Sequence, residues 1–265
     1  MNDIHGIPQI GLGLWKVEKD EEFLSAFNTA IEAGYRHFDS AQVYGNEHLL
    51  GRAWTKSGVE RSTLFLTTKI TITKFGYNRS LNSFDESLKK LQTDYVDLLL
   101  LHFPVTGLRK SSWKALEELY ETGKAKSIGV SNYTVRHLEE MKAYAKVMPQ
   151  VNQVELHLFL QQPELLEYCQ KHDIVVEAYS PLAHAKDMDN EIIRKIAKKH
   201  TKTYAQVMLR WCIEKGLVVL PKSVTPERIK QNIDIFDFAL DGGDMTQLES
   251  LDRNLRTCWN PTLVP

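Results

Sequence analysis

The sequence has no excess of charge of either sign, few cysteines and no long hydrophobic run. Its 265 residues carry 33 Lys and Arg against 34 Asp and Glu, a formal net charge of −1. Such a chain has no long-range field to attract nucleic acid or an anionic membrane, so we expect neither as a partner. Its three cysteines, Cys169, Cys212 and Cys258, are too scattered for a disulfide framework or a zinc site, which predicts reduced thiols and no metal.

Signals for export and membrane insertion are also lacking. Asp3 and a run of charged residues at 18–22 leave no apolar core for a signal peptide. The most apolar run, 96–103, is interrupted by Asp97 and is far shorter than the roughly 20 residues that a membrane helix needs. We therefore expect a cytoplasmic protein, and a monomer.

What the sequence does contain is a regular alternation of short apolar runs and longer segments with helical spacing. Its composition, 43% hydrophobic and 25% charged, is that of a globular protein. The predicted strands lie at 10–14, 36–40, 63–69, 96–102, 126–130, 150–155, 174–179 and 217–221. Several of these runs are almost continuously apolar, which is typical of a parallel sheet covered on both faces.

The segments between the strands have the spacing of helices packed on a sheet. Leu24, Phe27 and Ile31 form one apolar stripe, and Gly34 and Gly123 stand where left-handed helix caps belong. Eight strand–helix units of about 33 residues each predict an α/β fold, a (β/α)8 TIM barrel in a single domain spanning 1–265.

A doubly wound sheet is the alternative fold. Such a sheet normally carries a Gly-x-Gly-x-x-Gly turn after an early strand, where a helix begins. The early turn of this chain, Gly11-Leu-Gly13, lacks the third glycine and opens no helix directly. The barrel is therefore favoured.

Polar or aromatic residues follow every predicted strand. In TIM barrels the chemistry lies at the carboxyl ends of the strands. The residues expected at that mouth are Trp15, Asp39, Tyr44, Lys69, His102, Ser131, Asn132, Gln153, Glu155, Tyr179, Ser180, Lys222 and Ser223. Apolar packing does not require such residues there, so this mouth is predicted to be an active site.

Four of the mouth residues suggest one mechanism. Asp39 and Lys69 lie on adjacent strands and are expected to form a buried ion pair. The Lys69 ammonium would then lower the pKa of the Tyr44 hydroxyl, and His102 could share a hydrogen bond with an oxygen held by Tyr44. This arrangement would protonate a carbonyl oxygen as its carbon is reduced.

A nicotinamide cofactor would need further contacts. Ser131, Asn132 and Gln153 could hold a carboxamide, and Tyr179 could stack on a flat ring.

The last strand is followed by a predicted anion site. Thr225 fits a helix N-cap with Pro226 at the first helical position, and the segment carries Lys222, Ser223 and Arg228. A helix start flanked by cations at the end of the last barrel strands is a common phosphate site.

These motifs make the chain resemble the aldo-keto reductases over essentially its whole length. The matching segments are 34–47, 67–69, 100–104, 123–132, 151–155, 178–182 and 221–223. The resemblance implies reduction of aldehydes and ketones to alcohols with NADPH, oxidised to NADP⁺, on a small-molecule carbonyl substrate. It implies Asp39, Tyr44, Lys69 and His102 as catalytic residues, with Tyr44 the general acid.

The resemblance also implies the binding residues. The implied cofactor contacts are Ser131, Asn132, Gln153, Tyr179, Ser180, Leu182, Lys222, Ser223, Arg228 and Asn232. The substrate pocket would be lined by Trp15, Tyr44, His102 and Phe103, where Phe103 replaces a tryptophan usual in the family. The loops at 104–110 and 181–188 and the tail after a helix near 245–253 are short, so we expect a mouth with no closing segment.

Three other functions are weighed against this one. A barrel with the same cofactor could serve as a non-catalytic regulatory or sensing subunit, which the intact set of four residues disfavours. Lys69 could form a Schiff base in an aldolase, but pairing with Asp39 would keep its amine protonated. A metal hydrolase is disfavoured because no His-x-x-x-His pair occurs, and His157, His172 and His184 are predicted to be surface or loop residues.

Overall fold

A computed structural model describes residues 3–265. A short hairpin of β1 (Asp3–Ile4) and β2 (Ile7–Pro8) precedes an eight-stranded parallel sheet. The strands of this sheet follow chain order: β3 (Gly11–Gly13), β4 (His37–Asp39), β5 (Phe65–Ile70), β6 (Leu98–Leu101), β7 (Ile128–Ser131), β8 (Val151–Glu155), β9 (Val175–Tyr179) and β10 (Val218–Leu220). All eight predicted strands are confirmed, with ends shifted by a few residues.

The sheet curls into a barrel because its first and last strands meet. Ile10 pairs in parallel with Val219, and the Gly13 amide donates to the carbonyl of Pro221 at 3.0 Å. The predicted (β/α)8 architecture is therefore confirmed.

Helices cover the outside of the barrel. They are α1 (Asp20–Ala33), α2 (Glu47–Ser57), α3 (Tyr77–Leu91), α4 (Arg109–Glu121), α5 (Val135–Met141), α6 (Pro163–Lys171), α7 (Glu191–His200), α8 (Tyr204–Glu214), α9 (Pro226–Ile233) and α10 (Gly242–Glu249). Gly34 ends α1 with φ 99° and Gly123 follows α4 with φ 74°, as predicted; a side chain at either position would be strained.

The strands have apolar residues on both faces because each face meets a different core. In β6, Leu99 and Leu101 pack with the helices, whereas Leu98 and Leu100 belong to a separate cluster inside the barrel. Towards the carboxyl ends the interior turns polar, and Asp39, Lys69 and Gln153 are buried there. The fold thus puts polar groups where the strands end.

Candidate active site

The four predicted catalytic residues come together at the carboxyl ends of three neighbouring strands. Asp39 is the last residue of β4, Lys69 lies near the end of β5, and His102 follows β6. Tyr44 lies on a short 3-10 turn, Gln42–Tyr44, between β4 and α2. Parallel pairing of consecutive strands therefore converts positions far apart in sequence into one cluster.

Lys69 is the centre of this cluster. Its fully buried ammonium donates to Asp39 Oδ1 and Oδ2 at 2.6 and 2.7 Å and to the Ser40 carbonyl at 2.9 Å. A longer contact of 3.4 Å reaches the hydroxyl oxygen of Tyr44. The predicted buried ion pair is confirmed, and its ammonium lies beside the tyrosine hydroxyl.

The predicted lowering of the Tyr44 pKa is wrong. Burial of the hydroxyl raises its pKa above the ordinary value of 10.0, and this outweighs the opposing effect of the Lys69 ammonium. The negative charge of Asp39, which is paired with the Lys69 ammonium, raises the pKa of Tyr44 and so offsets part of the lowering by Lys69. Tyr44 is therefore a protonated phenol at neutral pH, the form that can give a proton.

His102 is buried beside Tyr44. The centroids of the two rings lie 5.8 Å apart at an interplanar angle of 77°. Burial, with a further contribution from the Lys69 ammonium, lowers the pKa of His102 to about 3. The imidazole is thus neutral at neutral pH, able to donate one hydrogen bond through its N–H without adding a charge.

Amide and hydroxyl side chains at the ends of β7 and β9 surround the mouth. Asn132, whose φ is 66°, donates to the His102 carbonyl at 3.2 Å and to Ser131 Oγ at 3.1 Å. Its Oδ1 accepts from the Tyr179 hydroxyl at 2.7 Å, which ties the tyrosine ring to this end of the barrel. Ser131 keeps a hydroxyl hydrogen, and Asn132 Oδ1 keeps one lone pair, for a ligand.

Gln153 lies deeper in the same region. Its amide nitrogen donates to Asp39 Oδ2 and to Glu177 Oε2, each at 2.8 Å. The amide oxygen is left as an acceptor. One hydroxyl donor at Ser131 with amide-oxygen acceptors at Asn132 and Gln153 is the complement of a primary carboxamide, so these residues fit the nicotinamide predicted for them.

The predicted phosphate site lies at the start of α9. Thr225 occupies the N-cap and Pro226 the first helical position, as predicted, but the Thr225 side chain makes no capping bond; its backbone N–H donates to Ser223 Oγ at 3.2 Å. Within residues 3–265, Lys222 and Arg228 take part in no ion pair, and both are exposed. Two free cations beside helix N–H groups fit the phosphates of a dinucleotide.

The remaining predicted cofactor residues are less exposed. Asn232 is buried in the last turn of α9. Leu182 packs against the outer core just after β9. Ser180, with φ 49°, has its hydroxyl 3.3 Å from His184 Nε2.

The expectation of an open mouth is wrong, because the C-terminal segment, residues 250–265, lies over it. Its length is short as predicted, yet it runs across the barrel: the Leu255 amide donates to the Phe159 carbonyl at 2.8 Å, and Val264 O lies 3.0 Å from the His137 ring in α5. In between, Trp259 reaches the site, with its ring centroid 6.3 Å from His102 and 6.0 Å from Phe103.

Glu155 holds this segment in place. Its fully buried carboxylate accepts from the Thr257 amide at 2.6 Å, the Thr257 hydroxyl at 2.7 Å and the Cys258 amide at 3.1 Å. His157 lies 3.1 Å away in the connection between β8 and α6, so it is a loop residue as predicted, but it is fully buried and not at the surface. Burial alone would raise the pKa of Glu155, but the bonds from His157 and Thr257 lower it to about 2.

Two exposed tryptophans flank the mouth. Trp259 has 61% of its surface exposed and Trp15 has 42%. Trp15 packs edge-on against His184, and His184 Nε2 lies 3.2 Å from Cys258 Sγ, which links the predicted pocket wall to the C-terminal segment. The sequence contains one sign that the C-terminal segment forms part of the mouth, namely Trp259 among mostly polar residues. Because the segment has no helical or strand periodicity, its sequence does not show where it packs.

The described residues, 3–265, contain neither a candidate membrane span nor a candidate metal site. Among residues 3–265, no helix has both the length and the apolar character to span a bilayer. The same residues contain no group of three or more His, Cys, Asp or Glu side chains that could hold a metal ion.

Comparison with known proteins agrees with this geometry. The model of the aldo/keto reductase family matches residues 9–253. The chain is 45% identical to a glyoxal reductase of Bacillus subtilis over 255 residues, covering 96% of this chain and 92% of the relative. It is 42% identical to the methylglyoxal reductase DkgA of Escherichia coli O157:H7, covering 97% of this chain and 94% of the relative.

A solved structure has the same fold. A Gox0644 mutant crystallised in complex with NADPH superposes with a TM-score of 0.92 at 40% identity, covering 98% of this chain and 95% of that one. The match of the family model and of both relatives extends over nearly the whole chain, including the strands that carry Asp39, Lys69 and His102. The chain therefore belongs to the aldo/keto reductase family of oxidoreductases.

Proposed function

We propose that this protein reduces small aldehydes and α-dicarbonyl compounds to alcohols with NADPH. The single observation that carries the proposal is the contact of Tyr44, a protonated phenol beside the neutral ring of His102, with an ammonium that is itself held by Asp39. The family membership and the NADPH bound to the related Gox0644 mutant support the choice of cofactor.

The proposed chemistry divides between the cofactor and the protein. When bound, NADPH supplies a hydride to the carbonyl carbon. Tyr44 Oη donates its proton to the carbonyl oxygen, so that the C=O bond becomes a C–H and an O–H bond. The ammonium of Lys69 stabilises the phenolate that remains, and Asp39 keeps that ammonium charged and in place.

His102 orients the substrate carbonyl by a hydrogen bond and adds no charge to the site. Its low pKa keeps the ring neutral, so it offers an N–H to the carbonyl oxygen beside Tyr44 without competing as an acid. Two donors converging on one oxygen would orient the carbonyl for attack at carbon.

The walls of the mouth suit a small substrate. Trp259 and Phe103 lie edge to face near His102, and they narrow the approach to Tyr44. The relatives named for glyoxal and methylglyoxal reduction favour the same size class. We propose substrates of this kind over large apolar ketones.

A turnover assay tests the proposal. NADPH oxidation is followed with glyoxal, methylglyoxal and a larger aromatic ketone, using the wild-type protein and Tyr44→Phe. We expect wild-type turnover with the two dicarbonyls, and a loss of about 10²- to 10⁴-fold in kcat in Tyr44→Phe, because positioned proton transfer contributes that much.

The controls separate the other functions. NADPH binding by Tyr44→Phe should stay near that of the wild type, since the hydroxyl is not among the groups assigned to the cofactor. A wild-type protein that binds NADPH but turns over none of the carbonyls would be a sensing barrel instead. Trapping of a substrate on Lys69 by borohydride would indicate an aldolase.

A further inference from the structure

Glu177 is a fully buried carboxyl group inside the barrel that the proposed chemistry does not use. It lies in β9 directly opposite Gln153 of β8 in the parallel register. One carboxyl oxygen, Oε2, accepts from the Gln153 amide nitrogen at 2.8 Å. The other, Oε1, is buried and has no hydrogen-bond partner among residues 3–265.

The Gln153 amide is held from two sides. An amide nitrogen has two hydrogens, and here one points to Asp39 Oδ2 and the other to Glu177 Oε2. With both hydrogens engaged, the amide cannot rotate, and its oxygen Oε1 stays on the side away from the two carboxyl groups. Removing either acceptor would leave a buried N–H unsatisfied and free the amide to turn.

Glu177 differs from Asp39 in its charge. Asp39 has the Lys69 ammonium at 2.6 Å, whereas no ion pair within the described residues includes Glu177. Burial, and next the negative charge of Asp39, raise the pKa of Glu177 to about 8, with the Gln153 bond and Lys69 opposing them. A neutral acid can still accept the Gln153 N–H at Oε2 while it carries its proton on Oε1.

We propose that Glu177 is a positioning residue for the nicotinamide end of the cofactor site: by accepting one hydrogen of the Gln153 amide, it presents Gln153 Oε1 as the acceptor for a carboxamide N–H. This inference rests on the proposed function, because the carboxamide is that of NADPH. Glu177 is not a catalytic residue, since Gln153 stands between it and the ligand. Its β10 neighbour in the register, Val218, is apolar and offers no competing bond.

Two substitutions separate positioning from simple packing. Glu177→Gln keeps the shape, the neutrality and an oxygen acceptor. Glu177→Leu keeps a buried side chain of comparable size but removes the acceptor. The matched control is Thr67→Val, which removes a buried hydrogen bond between Thr67 Oγ1 and His37 Nε2 at 3.1 Å and leaves both bonds of the Gln153 amide in place.

The first experiment measures binding by quenching of tryptophan fluorescence. NADPH is compared with adenosine 2′,5′-bisphosphate, which lacks the nicotinamide. In Glu177→Leu the Kd for NADPH should rise about 5- to 20-fold while that for the bisphosphate is unchanged, and Glu177→Gln and Thr67→Val should stay within about 3-fold of wild type for both. An equal NADPH Kd in wild type and Glu177→Leu, or equal weakening of both ligands, would overturn the inference.

The second experiment needs no cofactor and covers the case in which Glu177→Leu fails to fold. In the ligand-free wild-type protein, the two side-chain NH₂ hydrogens of Gln153, identified in the ¹⁵N NMR spectrum by their loss in Gln153→Leu, should both be protected from exchange with solvent, because each is bonded to a buried carboxyl oxygen. Rapid exchange of either hydrogen contradicts the inference. A wild-type protein that binds no NADPH at all would instead refute the proposed function, so the two failures are distinguishable.

Discussion

Tyr44 shows how two opposing effects decide the state of one hydroxyl group. Lys69, at 3.4 Å, favours the phenolate, and burial favours the neutral phenol. Burial is the larger of the two effects, and the negative charge of Asp39, 2.6 Å from the Lys69 ammonium, acts in the same direction, so the pKa of Tyr44 is raised. A phenol that stays protonated at neutral pH is in the form that the proposed reduction requires.

The pH dependence of reduction follows from that state. In the proposed mechanism reduction needs the protonated phenol, so we expect activity to be lost only as pH rises through the Tyr44 pKa, above its ordinary value of 10.0. We expect kcat for reduction of methylglyoxal to show no loss from Tyr44 ionisation between about pH 6 and 9, measured by stopped-flow with saturating NADPH. A fall centred near pH 7 that is absent from the residual activity of Tyr44→Phe would mean that Lys69 outweighs burial.

Arg228 carries a second prediction at the scale of one residue. Its guanidinium is exposed beside the start of α9, and NADPH, unlike NADH, has a 2′-phosphate that a guanidinium can hold through two charge-assisted hydrogen bonds. We expect Arg228→Ala to weaken NADPH binding about 10-fold or more, with little effect on NADH, as measured by fluorescence titration.

The control for this prediction lies in the same helix. Lys230 is also an exposed cation of α9, and Lys230→Ala should leave the ratio of the NADPH and NADH affinities unchanged if Arg228 reads the phosphate directly. Equal weakening of both cofactors by Arg228→Ala would show that it does not read the phosphate.

At the scale of elements, the C-terminal segment completes the mouth. Residues after α10 cross from Phe159 to α5 and bring Trp259 to His102. One carboxylate, Glu155, bonds to two successive backbone amides of this segment, those of Thr257 and Cys258. The C-terminal segment is short, but it can line the mouth because Glu155 binds it close to the site.

Weakening the bonds between Glu155 and the C-terminal segment should raise KM for the substrate more than it lowers kcat. Glu155→Gln removes the charge that strengthens the bonds to Thr257 and Cys258, each worth about 1.5–3 kcal/mol in a charged pair. We expect faster hydrogen exchange at these two amides and a rise of about 10-fold in KM for methylglyoxal, with kcat little changed.

The matching control is Glu164→Gln, an exposed glutamate of α6, which should change neither exchange nor KM. Trp259→Ala should reproduce the effect on KM while leaving the exchange of the Thr257 amide as in the wild type. If Glu155→Gln exchanges no faster than wild type, the carboxylate does not hold the segment.

At the scale of the whole molecule, two buried glutamates on adjacent strands make stability depend on pH in different ways. The pKa of Glu177 is raised to about 8, so its contribution to stability is full below its unfolded pKa near 4.5 and is lost as pH rises through 8. The pKa of Glu155 is lowered to about 2, so its contribution is full above 4.5 and is lost as pH falls towards 2.

Urea unfolding at pH 5, 6.5 and 8 checks this difference. We expect Glu177→Gln to gain stability relative to wild type as pH rises, by about 1.4 kcal/mol for each pH unit in which the wild-type carboxyl keeps a proton that its unfolded form has lost. Glu155→Gln serves as the control, and its difference from wild type should be flat over the same range. A flat difference for Glu177→Gln would mean that this carboxyl is ionised in the folded protein.

Short sequence patterns determine the strands, the helix ends and the grouping of the residues at the barrel mouth. Apolar runs such as 98–101 and the cap at Gly34 predict strands and helix ends because periodicity and backbone conformation depend on near neighbours. In a sheet of consecutive parallel strands the carboxyl ends must converge, so the sequence alone places Asp39, Lys69 and His102 in one group. The roles of these residues and the monomeric, cytoplasmic state stay predictions.

Tertiary structure alone decided three further features. The sign of the Tyr44 pKa shift depends on burial, which sums the contributions of residues throughout the barrel and cannot be read from spacing. The bond from Gln153 to Glu177 depends on the register of two strands, and a shift of one residue would turn either side chain to the other face. The path of the C-terminal segment to Glu155 depends on a contact between positions about a hundred apart, which no local pattern encodes.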